Sequence, residues 1–260
     1  MAHNTVFILI DGLRPDAIAQ TNCPNLRGLI ARSAYTLCAR SVMPSITLPC
    51  HMSIFHSVPP ERHGIVSNTW VPMARPLPGL IEVAAVHGIR CAHFYNWEPL
   101  RNLNTPETLW MSFFNDTSKL IDGDAITVEV AAAMIPRLQP QFSFVYLGTV
   151  DTMGHVFGWM NDGYFKQIER VDIELGKLLA ALPANTNIVL QSDHGGHDRT
   201  HGTDMPEDML IPWMASGPGI KAGMIQSAVS LLDTTPTLAR LLGCKPHPQW
   251  EGRVVEEIFA

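Results

Sequence analysis

Three apolar runs of strand length, each leading into an aspartate, constrain this sequence more than any other feature. "FILI" (7–10) runs into Asp11, "FVYLGTV" (144–150) into Asp151 and "NIVLQS" (187–192) into Asp193. The first two are nearly continuous in apolar residues, as strands covered on both faces are. Further strands are expected over 34–42, 90–96 and 209–216, and segments of helical character cover 24–33, 47–57, 79–88, 124–138, 163–182 and 233–243. Asp233 stands where an N-cap would, and Pro136 should disturb the fourth of these helices. The alternation predicts an α/β fold: a mainly parallel central sheet with helices on both faces. In such a sheet ligands collect beyond the carboxyl ends of the strands, so the three aspartates should meet at one edge. Crowded together, they must take up protons or share a cation.

With 46% hydrophobic and 16% charged residues among 260, the chain can bury a large core. The segments 67–78 and 96–118, rich in Pro, Asn and Trp, break the pattern. A single domain over 1–260 is expected, with a small reduced cap or long loop at roughly 67–118. The net charge of −6 and the lack of a basic run argue against a nucleic acid polymer as partner. The cysteines at 23, 38, 50, 91 and 244 form no C-x-x-C pair, which suits the reduced thiols of a cytoplasmic protein. No basic segment precedes the first apolar stretch and no apolar window is membrane-long, so neither a signal peptide nor a membrane span is expected.

Imidazoles stand beside the same carboxylates. His155 follows Asp151 by four residues, and "QSDHGGHDRTHG" (191–202) adds His194, His197 and His201 after Asp193. Asp and His without Cys suit zinc or a similar divalent ion. Asp11, Asp151, His155, Asp193, His194 and His201 suffice for two ions, and paired ions roughly 3.5–4 Å apart are the usual device for phosphoryl displacement. Taken singly, each Asp reads as a helix cap and each His as a surface or core residue. The joint pattern carries the metal reading. Thr47 should open a helix, where backbone N–H groups bind anions; a hydroxyl touching a metal there can lose its proton near neutral pH. Alone, Thr47 reads as an N-cap.

"ILIDGLRPD" (8–16), "PSITLPCHMSIFHSVPPERHGI" (44–65), "DTMGH" (151–155) and "SDHG" (192–195) occur in this order, with "LLDTTPTLARLLG" (231–243) and "EGR" (251–253) after them. Together they resemble the alkaline phosphatase superfamily, in its nucleotide pyrophosphatase/phosphodiesterase branch, over nearly the whole chain. The resemblance implies two zinc ions. One would be held by Asp151, His155 and His201, the other by Asp11, Asp193 and His194 with Thr47 as fourth ligand. It further implies attack of Thr47 on the phosphorus of a small phosphate ester, such as a nucleotide, through a phosphothreonine. Cys50 stands where the branch usually carries an Asn that binds a phosphoryl oxygen, and is read as a weak substrate contact. His197 rivals His201 as the last ligand, and His201 is preferred because "HGTD…IPW" resembles the family's approach to the next strand.

Rival readings stay open. A phosphonoacetate-hydrolase-like enzyme, cleaving a carbon–phosphorus bond, or a phosphomonoesterase would share these ligands. A phosphomutase would want Ser and a larger cap; a sulfatase would want Cys or Ser as nucleophile; a haloacid-dehalogenase-like phosphatase would want a second acid where Leu13 stands. A metal-stabilised binding module without turnover is the alternative from another class. Trp70, Tyr95, Trp97 and Trp110 are candidates to stack a base, although packing is their commoner use.

Overall fold

The computed structural model describes residues 4–259. Eight strands form one sheet: β1 Thr5–Ile10, β2 Ala34–Arg40, β3 Cys91–Tyr95, β4 Met111–Phe114, β5 Phe142–Leu147, β6 Asn187–Gln191, β7 Leu210–Ser216 and β8 Gly223–Met224. Their spatial order is β4-β3-β5-β1-β6-β7-β2-β8. β7 alone runs against its neighbours, so the sheet is mixed but predominantly parallel. The helices are α1 Ala17–Gln20, α2 Pro24–Ala31, α3 Thr47–His56, α4 Pro60–His63, α5 Leu80–Val86, α6 Gly123–Leu138, α7 Thr149–Phe157, α8 Asp162–Ala181, α9 Pro206–Met209 and α10 Thr234–Leu241. Among the described residues no helix is long and apolar enough to cross a membrane.

Alternation within β1 assigns its two faces. Phe7 and Leu9 join one core with Phe55 of α3, Leu80 of α5 and Leu238 of α10. Val6, Ile8 and Ile10 join the other with Leu26 of α2, Val128 of α6 and Leu175 of α8. Each fully buried side chain of this size is worth roughly 1.5–3 kcal/mol, which is why β1 is apolar at nearly every position. β1 lies between β5 and β6 in parallel register, so the chain after each of the three strands emerges at the same edge.

Several boundaries differ from expectation. β5 stops at Leu147, and Asp151 lies in the first turn of α7 rather than at a strand end. Gly148 turns the chain into the helix, and Asp151 and His155 then sit one turn apart on it. The segment 96–118 is not merely loop: it contributes β4, which pairs with β3 at the edge of the sheet. Asp233 does not cap α10. Its carboxylate accepts from Ser230 N and Arg253 N, both at 2.8 Å, closing a short 3-10 turn instead. Pro136 lies in the last turn of α6 and the helix runs on to Leu138; so near the end, one missing N–H costs little.

The turn after β1 is tight. Gly12 has φ +69°, and a Cβ there would lie 2.9 Å from Asp151 Cα. Both the left-handed backbone and the close approach require glycine. Gly12→Ala is expected to lower the unfolding free energy by at least ~1 kcal/mol, read from urea denaturation, and to displace Asp151 in a crystal structure of the variant.

Candidate metal centre

At the edge beyond β1 and β6, Asp11, Asp193 and His194 bring one ligand atom each to within 4.8 Å of one another. His194 Nδ1 lies 2.8 Å from the Gly195 carbonyl oxygen. A carbonyl only accepts, so Nδ1 carries the proton and Nε2 is a bare lone pair. That Nε2 faces Asp11 Oδ1 at 3.3 Å, Asp193 Oδ2 at 3.4 Å and Thr47 Oγ1 at 3.2 Å. Asp11 Oδ1 and Asp193 Oδ2 are buried without a hydrogen-bond partner. Among the described residues these three acceptors share no donor; the Thr47 hydroxyl reaches His194 Nε2 alone. A cation is the partner this set fits.

A second group has the same logic. Asp151, His155 and His201 also bring ligand atoms within 4.8 Å of one another. His155 Nδ1 donates to Arg199 O at 2.9 Å and His201 Nδ1 to Ser45 O at 2.8 Å. Their Nε2 atoms are therefore both bare, 3.2 Å apart, and each 3.5 Å from a carboxylate oxygen of Asp151. Asp151 Oδ1 is a further buried acceptor without partner. The groups are adjacent: the His194 and His201 rings stack with centroids 3.8 Å apart.

Thr47 is the first residue of α3 and makes no capping hydrogen bond; Ile46 occupies the N-cap position. Its hydroxyl points instead at His194. The helix start offers fewer anion-binding amides than expected, because Leu48 N is taken by Asn68 Oδ1 at 2.9 Å and Pro49 has none. Asn68, Thr47, Asp11, Tyr146, Lys119 and Trp97 share the wall of a cavity of about 320 Å³ with Asp151, His155 and His201.

Two expectations need correction or decision. Cys50 does not reach this cavity: it is fully buried in the core beside Ser41 Oγ at 3.3 Å, and burial pushes its thiol well above the usual range. The helical turn points the third residue after Thr47 inward, so the amide that faces the cavity comes from Asn68 instead. His197 is not in either group. Its Nδ1 lies 2.7 Å from Asp208 Oδ1, while Asp208 Oδ2 accepts from Thr203 N and Oγ1, which anchors the loop that carries His201. Of the four aromatics, Trp97 lines the cavity, Tyr95 stacks on Phe114 and Trp110 lies under Arg90, and Trp70 is exposed.

The sequence gives no sign of Tyr146, Ser41 or Asn68, and it leaves His51 between lining the site and packing, without a role. Tyr146 donates its hydroxyl proton to Asp11 Oδ2, Ser41 donates to Asp193 O at 2.5 Å, and His51 donates from Nδ1 to Thr47 O at 2.8 Å. Only His51, one turn after Thr47, had a positional signal.

A model of the type I phosphodiesterase / nucleotide pyrophosphatase family matches residues 5–215. The chain belongs to this family. It is 28% identical over 218 residues to an uncharacterized pyrophosphatase/phosphodiesterase of Schizosaccharomyces pombe, covering 73% of this chain and 44% of that protein. It is 27% identical to human ectonucleotide pyrophosphatase/phosphodiesterase family member 1, covering 74% and 23%. The chain thus spans less than half the length of these relatives. Murine ectonucleotide pyrophosphatase/phosphodiesterase 5, solved with AMP, superposes with a TM-score of 0.83 at 15% identity over 99% of this chain and 100% of that one. A 2-O GAG sulfatase gives 0.80 at 17% identity, covering 98% of this chain and 73% of that one. At such identities these structures speak for an alkaline phosphatase-like fold alone.

The electrostatics of this family member follow from crowding. Burial first, then the charges of Asp193 and Asp151, push Asp11 well above the usual carboxylate range. Burial raises Asp193 and takes Asp151 to about 7. It lowers His194 to about 4 and His201 to about 3. Without a cation the carboxylates resist ionising while the imidazoles stay neutral, ready to ligate.

A raised carboxylate favours the folded state below its unfolded pKa and loses that contribution as pH rises through its folded pKa. In chelator-stripped protein, Asp151→Asn should therefore be more stable than the parent at pH 8. The difference should shrink as pH falls from about 7 toward about 4, as read from urea midpoints across that range.

Proposed function

We propose that this chain is a metal-dependent hydrolase of phosphoric esters, a phosphodiesterase or nucleotide pyrophosphatase acting through Thr47. One observation supports this above the others: the Thr47 hydroxyl, released from any capping role, points into a pair of acceptor-only Asp/His groups at the wall of a cavity. Asp11, Asp193 and His194, with Thr47, would hold one divalent ion, and Asp151, His155 and His201 the other. Asp and His donors suit zinc. Two such ions, when bound, supply Lewis-acid charge that favours the Thr47 alkoxide and offsets charge on the phosphoryl oxygens.

The rest falls to the chain. The α3 backbone holds Thr47 at the helix start, and His51 donates to its carbonyl from one turn below. Thr47 loses its hydroxyl proton to solvent, and the Oγ1–phosphorus bond forms as the bond to the leaving oxygen breaks; that oxygen takes up a proton from solvent as an alcohol or departs as a phosphate, giving a phosphothreonine. Water then attacks phosphorus, the bond to Oγ1 breaks, and a proton returns to Thr47. Asn68 Nδ2 and the Thr47 N–H, neither of which has an acceptor among the described residues, can donate to the phosphoryl oxygens as charge builds on them. Three ionised aspartates and a Thr47 alkoxide balance two divalent ions, so a phosphodiester anion meets a nearly neutral site. The substrate is a small phosphate ester, with a nucleotide as the favoured class.

Hydrolysis of bis-p-nitrophenyl phosphate and p-nitrophenyl phosphate with added zinc tests this. The diester should turn over faster. Thr47→Ala should lose at least about 10³-fold in kcat while still binding zinc, and chelation should abolish turnover. Turnover of neither ester by the parent would sink the proposal, and faster monoester turnover would make the chain a phosphomonoesterase.

A further inference from the structure

We propose that Asp124 is a positioning residue for the Asp151–His155–His201 group: from α6, its carboxylate caps the N-terminus of α7, the helix that carries two of those three side chains. The inference rests on the metal reading above.

Asp124 is a fully buried carboxylate that neither the sequence motifs nor the proposed chemistry uses. Four donors converge on it. Oδ1 accepts from Gly148 N at 2.9 Å and Asn96 Nδ2 at 2.7 Å. Oδ2 accepts from Thr149 N at 3.2 Å and Thr149 Oγ1 at 2.5 Å. Gly148 and Thr149 are the N-cap and first residue of α7. Both oxygens are filled by donors, which is the demand of an ionised carboxylate. A negative charge at a helix N-terminus is also favoured by the helix dipole.

The cap comes from a different helix for a steric reason. A Cβ at Gly148 would lie 2.8 Å from Cε1 and 3.0 Å from the hydroxyl oxygen of Tyr146, the tyrosine whose hydroxyl is bonded to Asp11. No Ser, Thr, Asn or Asp can stand at that N-cap without displacing Tyr146, so α7 cannot cap itself in the ordinary way. Thr149 completes the link: its hydroxyl donates to Asp124 and accepts from Gln167 Nε2 of α8 at 2.7 Å. Rotation and height of α7 are thereby set by α6 and α8, and with them the positions of Asp151 and His155. Asn96 extends the same network to the cavity wall, because its carbonyl accepts from Ser118 N at 3.1 Å and Thr152 Oγ1 donates to Ser118 O at 2.9 Å.

Isothermal titration of chelator-stripped full-length protein with zinc tests the inference. The parent is expected to bind two equivalents, one of which Asp151→Asn removes. Asp124→Asn keeps the shape but sets an amide N–H₂ against donors on one side. It should weaken that same equivalent by about tenfold or more and leave the other unchanged. A merely structural role would lower the melting temperature and leave both affinities at parental values, and that result overturns the inference. Should Asp124→Asn not fold, Thr149→Val decides. It removes the two hydrogen bonds of that hydroxyl, to Asp124 and from Gln167, so the same equivalent should weaken at least about fivefold, and parental affinity for both equivalents overturns the inference. A parent protein that binds no zinc sinks the metal reading itself, an outcome distinct from a parent that binds two equivalents and a variant that matches it.

Discussion

Six acceptor atoms face one another at one edge of this sheet, and no donor among the described residues reaches most of them. They are carboxylate oxygens of Asp11, Asp151 and Asp193 and the bare Nε2 atoms of His155, His194 and His201. Burying a carboxylate without a partner costs several kcal/mol in a real protein, and here three are held close together. A fold tolerates such an arrangement only by keeping the carboxylates protonated or by taking up a cation. The shared architecture serves that end. β1 between β5 and β6 brings three chain segments to one edge, and the tight turn at Gly12 presses Asp11 and Asp151 together.

The acceptors stay bare because the chain commits the opposite ring nitrogens elsewhere. Each of the three histidines gives its Nδ1 proton to a backbone carbonyl: Gly195, Arg199 or Ser45. These carbonyls fix both tautomer and ring orientation, as hydrogen bonds behind a metal ligand do. Arg199 and Gly195 lie in the loop after β6, so the loop must itself be held. The pairing of His197 with Asp208, and of Asp208 with Thr203, does this. A histidine that by spacing alone competes as a ligand is thus occupied in holding the loop that carries His201.

Much of the candidate site is legible in the amino-acid sequence alone. Charged residues at the ends of buried strands stand out because apolar runs leave no other reason for them, and the edge at which they gather follows from parallel topology. Thr47 was legible through its motif and its place at a helix start. Cys50 is turned away from the cavity because the side-chain direction along α3 depends on which face packs against β1, and that face buries it against Ser41. Tyr146 and Asp124 were illegible for a related reason. Each lies in an ordinary strand or helix segment, and each matters through partners 135 and 25 residues distant in sequence.

The sequence by itself determined the alternation of strands and helices, the apolar β1, and the inventory of carboxylates, imidazoles and one hydroxyl at the ends of elements. These depend on periodicity and local chemistry, which are properties of short windows. Only the tertiary structure decided that β7 runs antiparallel, that Asp151 stands on a helix rather than a strand, that His201 rather than His197 joins Asp151, and that α7 takes its cap from α6. Those outcomes turn on which distant groups have room to approach one another, and packing settles that only once every layer is in place.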